Sequence, residues 1–118
     1  MAEEKQFENK VKRFLTEKEI WYLKTWSNGI QRKGVPDLLI CCNGYFVGVE
    51  LKAEYGKPSE LQKWNIEKIR DAGGIGIIVY PHQYEMFKNL IHSLLTDDDP
   101  EWWLMNQEYA FPSEVKNK

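Results

Sequence analysis

The dipeptide Asn43-Gly44 constrains this chain more than any other feature. It is the strongest short-range signal for a two-residue β-hairpin, because both central residues of a type I′ turn need positive φ. The flanking segments, residues 36–42 (PDLLICC) and 45–52 (YFVGVELK), both read as strands. A symmetric two-residue loop pairs Cys42 with Tyr45, and the register counts outward from there. Cys41 meets Phe46, Ile40 meets Val47, Leu39 meets Gly48 and Leu38 meets Val49; the next pair is Asp37 with Glu50. Directly opposed side chains share one face, with Cβ atoms about 4.5–5.5 Å apart. Two carboxylates that close repel each other, and a divalent cation between them is the obvious reason for the placement. Lys52 is two residues beyond Glu50 and so lies on the same face. The hairpin therefore predicts Asp37, Glu50 and Lys52 converging at its open end.

The rest of the chain supplies the frame for that hairpin. Residues 3–19 read as a helix with Phe7, Val11, Phe14 and Leu15 on one apolar stripe. Residues 20–26 (IWYLKTW) are aromatic and β-branched and read as a strand, followed by a polar, glycine-bearing loop over 27–35. Ser59, Glu60, Leu61 and Gln62 match a capping box, which starts a helix running to about Ala72, where Gly73-Gly74 stops it. Residues 75–80 (IGIIVY) form a nearly continuous apolar run, typical of a buried strand, and residues 84–95 a final amphipathic helix. The predicted order is α-β-β-β-α-β-α, an α/β domain with a mixed central sheet flanked by helices. Residues 1–96 make one domain. Residues 97–118 are an extension whose Trp102, Trp103, Tyr109 and Phe111 make it too aromatic for a simple disordered tail. It is expected to pack on the same domain or in a dimer contact.

Charge and cysteines narrow the class. The net charge of −2 gives no global basic signature, so any nucleic-acid surface must be local and salt-sensitive. Cys41 and Cys42 are adjacent in a strand, point to opposite faces and are poorly placed to bridge each other. They read as small apolar residues in a reducing compartment. The opening residues lack the apolar run of a signal peptide, and no stretch approaches membrane-spanning length; a cytoplasmic location is expected.

Each site residue also has a plain structural use. Asp37 follows Pro36, where Asp is a common turn residue. Lys52 suits the exposed end of a strand. Glu50 is harder to explain away, since a carboxylate between Val49 and Leu51 is costly unless its face is open or paired. Taken jointly, the register favours chemistry. Mg²⁺ or Mn²⁺ on two carboxylates polarises a phosphoryl oxygen, and an adjacent lysine orients water or stabilises developing charge. The arrangement suits phosphodiester hydrolysis.

Pro36-Asp37 followed by Glu50-Leu51-Lys52 resembles the PD-(D/E)XK nuclease signature. That superfamily is built on an αβββαβ, restriction-endonuclease-like core. More narrowly, Gly34-Val35-Pro36-Asp37-Leu38, Glu50-Leu51-Lys52, Gly56-Lys57 and Gln62 are similar to the VRR-NUC branch. Small stand-alone members of that branch are frequent in bacteriophages and resemble Holliday-junction resolvases; the branch also includes the nuclease domain of a Fanconi-associated nuclease. The resemblance spans about residues 4–95. It implies a Mg²⁺- or Mn²⁺-dependent endonuclease acting on branched DNA, with a four-way junction as the favoured substrate. A homodimer is implied too, since a resolvase cuts two strands of one junction, and a bacterial host cytoplasm if the chain is phage-encoded. The alternatives are a flap, nick or duplex-cutting nuclease on the same fold, or a catalytically silent DNA-binding module.

The superfamily often adds a carboxylate from its first helix. Glu8, with Val11 and Leu15 at the expected offsets, is the choice for a third metal ligand, and Glu4 is the reserve. Gln62 has two claims of about equal weight, the capping box and a place near the active site, and one amide cannot serve two distant partners. Lys24, Arg32, Lys33, Lys57 and Lys63 flank the motif; a solvated face is the usual role of such charges, and contacts to DNA phosphates are the functional one. Trp26 and Trp64 are expected mainly in the core, with base stacking as the other use.

Overall fold

The fold is described from a computed structural model over residues 2–26 and 33–96. The expectations for Arg32, for residues 27–31 of its loop and for the extension at 97–118 fall outside those residues. The elements are α1 (Ala2–Glu17), β1 (Trp21–Lys24), β2 (Leu38–Cys42), β3 (Tyr45–Leu51), α2 (Glu60–Asp71), β4 (Ile75–Val79) and α3 (Tyr84–Leu95). The predicted order is found, with one addition. A single 3₁₀ turn, Pro81–Gln83, precedes α3, with proline at its start, where a missing N–H costs nothing.

The hairpin forms as its turn residues dictate. Asn43 and Gly44 have φ of 52° and 87°, and the ladder runs in the expected register from Cys42–Tyr45 to Leu38–Val49. β1 pairs antiparallel with β2, while β4 pairs parallel with β3. The sheet is therefore mixed, in the order β1-β2-β3-β4. A parallel pair needs a crossover, and α2 supplies it.

Strand periodicity sorts the two faces. Leu38, Ile40, Val47, Val49, Leu51, Ile75, Ile77 and Val79 share one face, and all are buried in a single core with the apolar stripes of α1 and α3. Phe14 of α1 meets Phe87 of α3 edge to face within it. The opposite face receives α2. A Cβ on Gly48 would come within 2.7 Å of Ile69, and one on Gly76 within 2.7 Å of the Ile66 carbonyl oxygen. These two glycines let α2 settle close over β3 and β4, which brings its N-terminus to the end of β3 that carries Glu50. Ser59 caps α2, and the reciprocal capping box with Gln62 is present.

α2 covers β3 and β4 but leaves the same face of β1 and β2 open. The expectation of core roles for Trp26 and Trp64 is corrected: Trp26 lies beyond the end of β1 and Trp64 on α2, and they are 62% and 49% exposed. Trp64 carries the Lys68 ammonium over its ring at 5.4 Å. The two cysteines separate by strand parity, Cys41 exposed and Cys42 buried. Among the described residues, no helix is long and apolar enough to cross a membrane.

Candidate functional site

The carboxylates lie where the hairpin opens. Beyond the Leu38–Val49 pair the next residues are Asp37 and Glu50. Asp37 is held from both sides. Its carbonyl accepts from the Thr25 N–H at 2.9 Å, and its side-chain Oδ2 accepts from the Leu51 N–H, also at 2.9 Å. The second bond has no signal in the sequence: a carboxylate takes the place of a backbone acceptor at the end of the ladder. Removing the side chain altogether would orphan a buried amide, at a cost of about 1–3 kcal/mol.

Glu50 is 2% exposed, and its two oxygens differ. Oε2 accepts from Gln62 Nε2 at 2.7 Å and lies 3.8 Å from Lys52 Nζ. Oε1 is buried with no hydrogen-bond partner. Burial first, and then the charge of Asp37, push the Glu50 carboxyl up to about 8; Glu4 adds to the rise and Lys52 opposes it. At neutral pH the protonated form of Glu50 is therefore favoured in the metal-free protein.

Gln62 serves both of the partners proposed for it. Its Oε1 accepts from the Ser59 N–H at 2.8 Å, while its Nε2 faces Glu50. The two partners are not distant, because α2 is seated on the glycines of β3 and β4, and the two ends of one amide reach them together. Gln62→Ala should lower stability by roughly 1 kcal/mol through loss of half the capping box. Glu50 would also lose the hydrogen bond that Gln62 Nε2 donates to it. Chemical denaturation of the metal-free protein measures the sum.

Glu8 is also buried, but it does not join the pair. Its carboxylate is engaged by Lys12 and Lys24, each at 3.2 Å, and by Lys5 at 3.6 Å. Lys24 stands between it and Asp37, whose Oδ1 is 3.7 Å from the same ammonium. Burial pushes the Glu8 carboxyl up, but Lys12 and Lys24 together outweigh it and hold it below the ordinary value. The helix residue whose charge reaches Glu50 is Glu4. In this arrangement Glu8 fixes a lysine beside the site.

The basic residues distribute around this centre. Lys24 lies within it, Lys63 pairs with Glu60 at 2.8 Å, and Lys33 and Lys57 are exposed on the two loops that flank it. Lys33 is positioned by its neighbour. Gly34 has φ of 80°, and a Cβ there would come within 2.6 Å of Leu61. Only glycine lets the loop before Pro36 lie this close to α2. On the far side of the site, His82 pairs with Glu54 and stacks on Tyr80, whose hydroxyl donates to the Gly56 carbonyl at 2.8 Å.

Among the described residues, no three His, Cys, Asp or Glu side chains come together as a metal-binding group. The site offers two carboxylates, one with an orphaned buried oxygen. That donor set fits Mg²⁺ or Mn²⁺, hard cations that keep several waters and bind through one or two carboxylates plus substrate phosphate. It does not fit an ion that needs an all-protein cage. No protein-family model matches this chain and no curated protein matches it, so a functional reading rests on this geometry and on the motif residues that build it.

Proposed function

We propose that this protein is a divalent-metal-dependent endonuclease of the PD-(D/E)XK superfamily, VRR-NUC-like, that hydrolyses DNA phosphodiester bonds. The observation that carries the reading is that Asp37 and Glu50 are the next residues beyond the last ladder pair, Leu38–Val49, with Glu50 Oε1 buried and without a hydrogen-bond partner. Asp37 and Glu50 would hold Mg²⁺ or Mn²⁺, which supplies a Lewis acid for a phosphoryl oxygen. Gln62 fixes the orientation of the Glu50 carboxylate through one amide hydrogen bond. Lys52, on the face of Glu50, orients the attacking water and stabilises charge that develops on the phosphate. Lys24, held by Glu8, places a second ammonium at the outer oxygen of Asp37, where a substrate phosphate would approach.

Lys52→Ala should keep metal and DNA binding while losing most turnover, about a hundredfold or more, because its contribution arises in the transition state. Single-turnover kinetics beside a metal titration decide; near-normal cleavage would reduce Lys52 to a surface residue.

Branched DNA is the substrate class, and a four-way junction cut by a homodimer is the favoured case. A net −2 chain with a local basic cluster has little surplus charge for indiscriminate duplex binding. It gains affinity where several backbones meet two copies of that cluster. Plasmid, flap, nicked and four-way-junction substrates in Mg²⁺, Mn²⁺ and EDTA test the proposal. Paired, symmetry-related nicks in the junction support a resolvase. Equal cutting of flaps or linear duplex by a monomer would leave a nuclease of another kind, and no cleavage of any substrate with either metal would leave a silent DNA-binding module.

A further inference from the structure

Of the tyrosines among the described residues, Tyr22, Tyr45, Tyr80 and Tyr84 pack against the core. Tyr55 does not. It is 92% exposed, in the loop that leads from Lys52 to α2. A single exposed aromatic residue is ordinary by itself, but this one is carried on a turn that is fixed at several points. The Gly56 N–H donates to the Ala53 carbonyl at 2.9 Å, which closes a β-turn with Glu54 and Tyr55 at its centre. Glu54 pairs with His82. The Gly56 carbonyl accepts from the Tyr80 hydroxyl at 2.8 Å, and the His82 ring stacks on Tyr80. The residues on both sides of Tyr55 are thus anchored to the segment that follows β4, while Tyr55 itself stands in solvent.

The turn also adjoins the candidate site. A Cβ on Gly56 would lie 3.5 Å from the Lys52 Cδ, so the stem of that lysine runs along the turn. The Lys52 N–H donates to the Val79 carbonyl at 3.1 Å, which fixes its backbone. Tyr55 is three residues beyond Lys52, at most about 10 Å between Cα atoms, or about three base steps of 3.4 Å. Lys57, two residues further on, is exposed. An aromatic ring beside ammonium groups is the composition of a surface for unpaired nucleic acid, where the ring takes a base and the cations take the backbone. A ring on a turn ordered before binding loses little freedom on contact.

We propose that Tyr55 stacks on an unpaired DNA base within a few nucleotides of the scissile phosphate, and so selects DNA with an open base face. The inference rests on the nuclease reading above and adds the feature by which the site recognises a branch. In a continuous duplex each base is covered by its neighbours in the stack, and the ring finds no partner without the cost of unstacking. At a flap or a branch point a base face is uncovered, and Tyr55 covers it.

Equilibrium binding in Ca²⁺ and in EDTA tests this, with intact substrate verified on a denaturing gel. One substrate is a flap that carries 2-aminopurine in turn at the unpaired positions nearest the branch; the other is a linear duplex of the same length. Stacking of an aromatic ring quenches 2-aminopurine. The native chain should quench it at one or more of these positions, Tyr55→Phe should retain the quenching and Tyr55→Ala should lose it. Flap affinity should fall about tenfold in Tyr55→Ala, with duplex affinity unchanged. Circular dichroism establishes that each variant is folded. Flap binding by the native chain without quenching at any position overturns the proposal, a result that needs no variant. Equal flap affinity in the native chain and Tyr55→Ala overturns it too, as does an equal loss in Tyr55→Phe and Tyr55→Ala, which would assign the contact to the hydroxyl. In all three cases the native chain still binds DNA and the nuclease reading stands. A native chain that binds neither substrate in either condition overturns both.

Discussion

Asp37→Asn and Glu50→Gln should each abolish metal-dependent cleavage, by at least about a thousandfold, while leaving the fold intact. The amides are nearly isosteric with the acids, so the loss would lie in charge and metal binding. Asparagine is chosen over alanine at position 37 because its carbonyl oxygen can still accept from the Leu51 N–H, a bond that Asp37 makes at 2.9 Å. Alanine would confound lost chemistry with an orphaned amide. Cleavage in Mg²⁺, beside circular dichroism and thermal melts, checks the two halves together. A variant that melts far below the parent would make the pair structural; one that cuts normally would remove that carboxylate from the site.

The same pair sets a pH dependence of stability with a definite sign. The Glu50 carboxyl is pushed up from 4.5 to about 8, by burial first and then by the charge of Asp37. Between those values the folded protein holds a proton that the unfolded chain has released. Stability of the metal-free protein from this group is therefore fully present below about pH 4.5 and lost as pH rises toward 8, by up to about 1.4 kcal/mol per pH unit. Glu50→Gln removes the titration. Its stability relative to the parent should be near zero around pH 4.5 and grow to several kcal/mol by about pH 9, all in EDTA. Glu8, held below its ordinary value by Lys12 and Lys24, contributes with the opposite sign and cancels in the comparison. Denaturant titrations at the two ends of the window measure the difference. A gain that does not change with pH would mean that Glu50 is ionised throughout and not buried against Asp37.

The sequence made the centre of the site legible and left its surroundings dark, for physical reasons. Strand side chains alternate with period two, and an Asn-Gly turn admits one register, so the ladder from Cys42–Tyr45 to Leu38–Val49 follows from counting, with Asp37 and Glu50 the next residues at its open end. The capping box at Ser59 and Gln62 was legible because it is a local pattern. That Gln62 also reaches Glu50 was not, since it depends on how closely α2 sits on Gly48 and Gly76. Glu8, chosen for its offsets to Val11 and Leu15, is buried in α1. Lys5 and Lys12 lie three and four residues from it along α1, a spacing the sequence shows, whereas Lys24 depends on where β1 runs past α1, and no periodicity encodes that. The bond from Leu51 to Asp37 needs the ladder to end where it does. The exposure of Trp26 and Trp64 has no local signal, because it depends on where β1 ends and on which side of α2 meets the sheet.

The proposed chemistry requires Asp37 and Glu50 to bind a divalent cation together. Calorimetric titration of Mn²⁺ into the DNA-free protein near neutral pH tests it most directly. One saturable site is expected, lost in both Asp37→Asn and Glu50→Gln and retained in Glu8→Gln, whose parent carboxylate is already taken by Lys12 and Lys24. Binding that survives in Asp37→Asn and Glu50→Gln, or that is absent from the native chain, would contradict it.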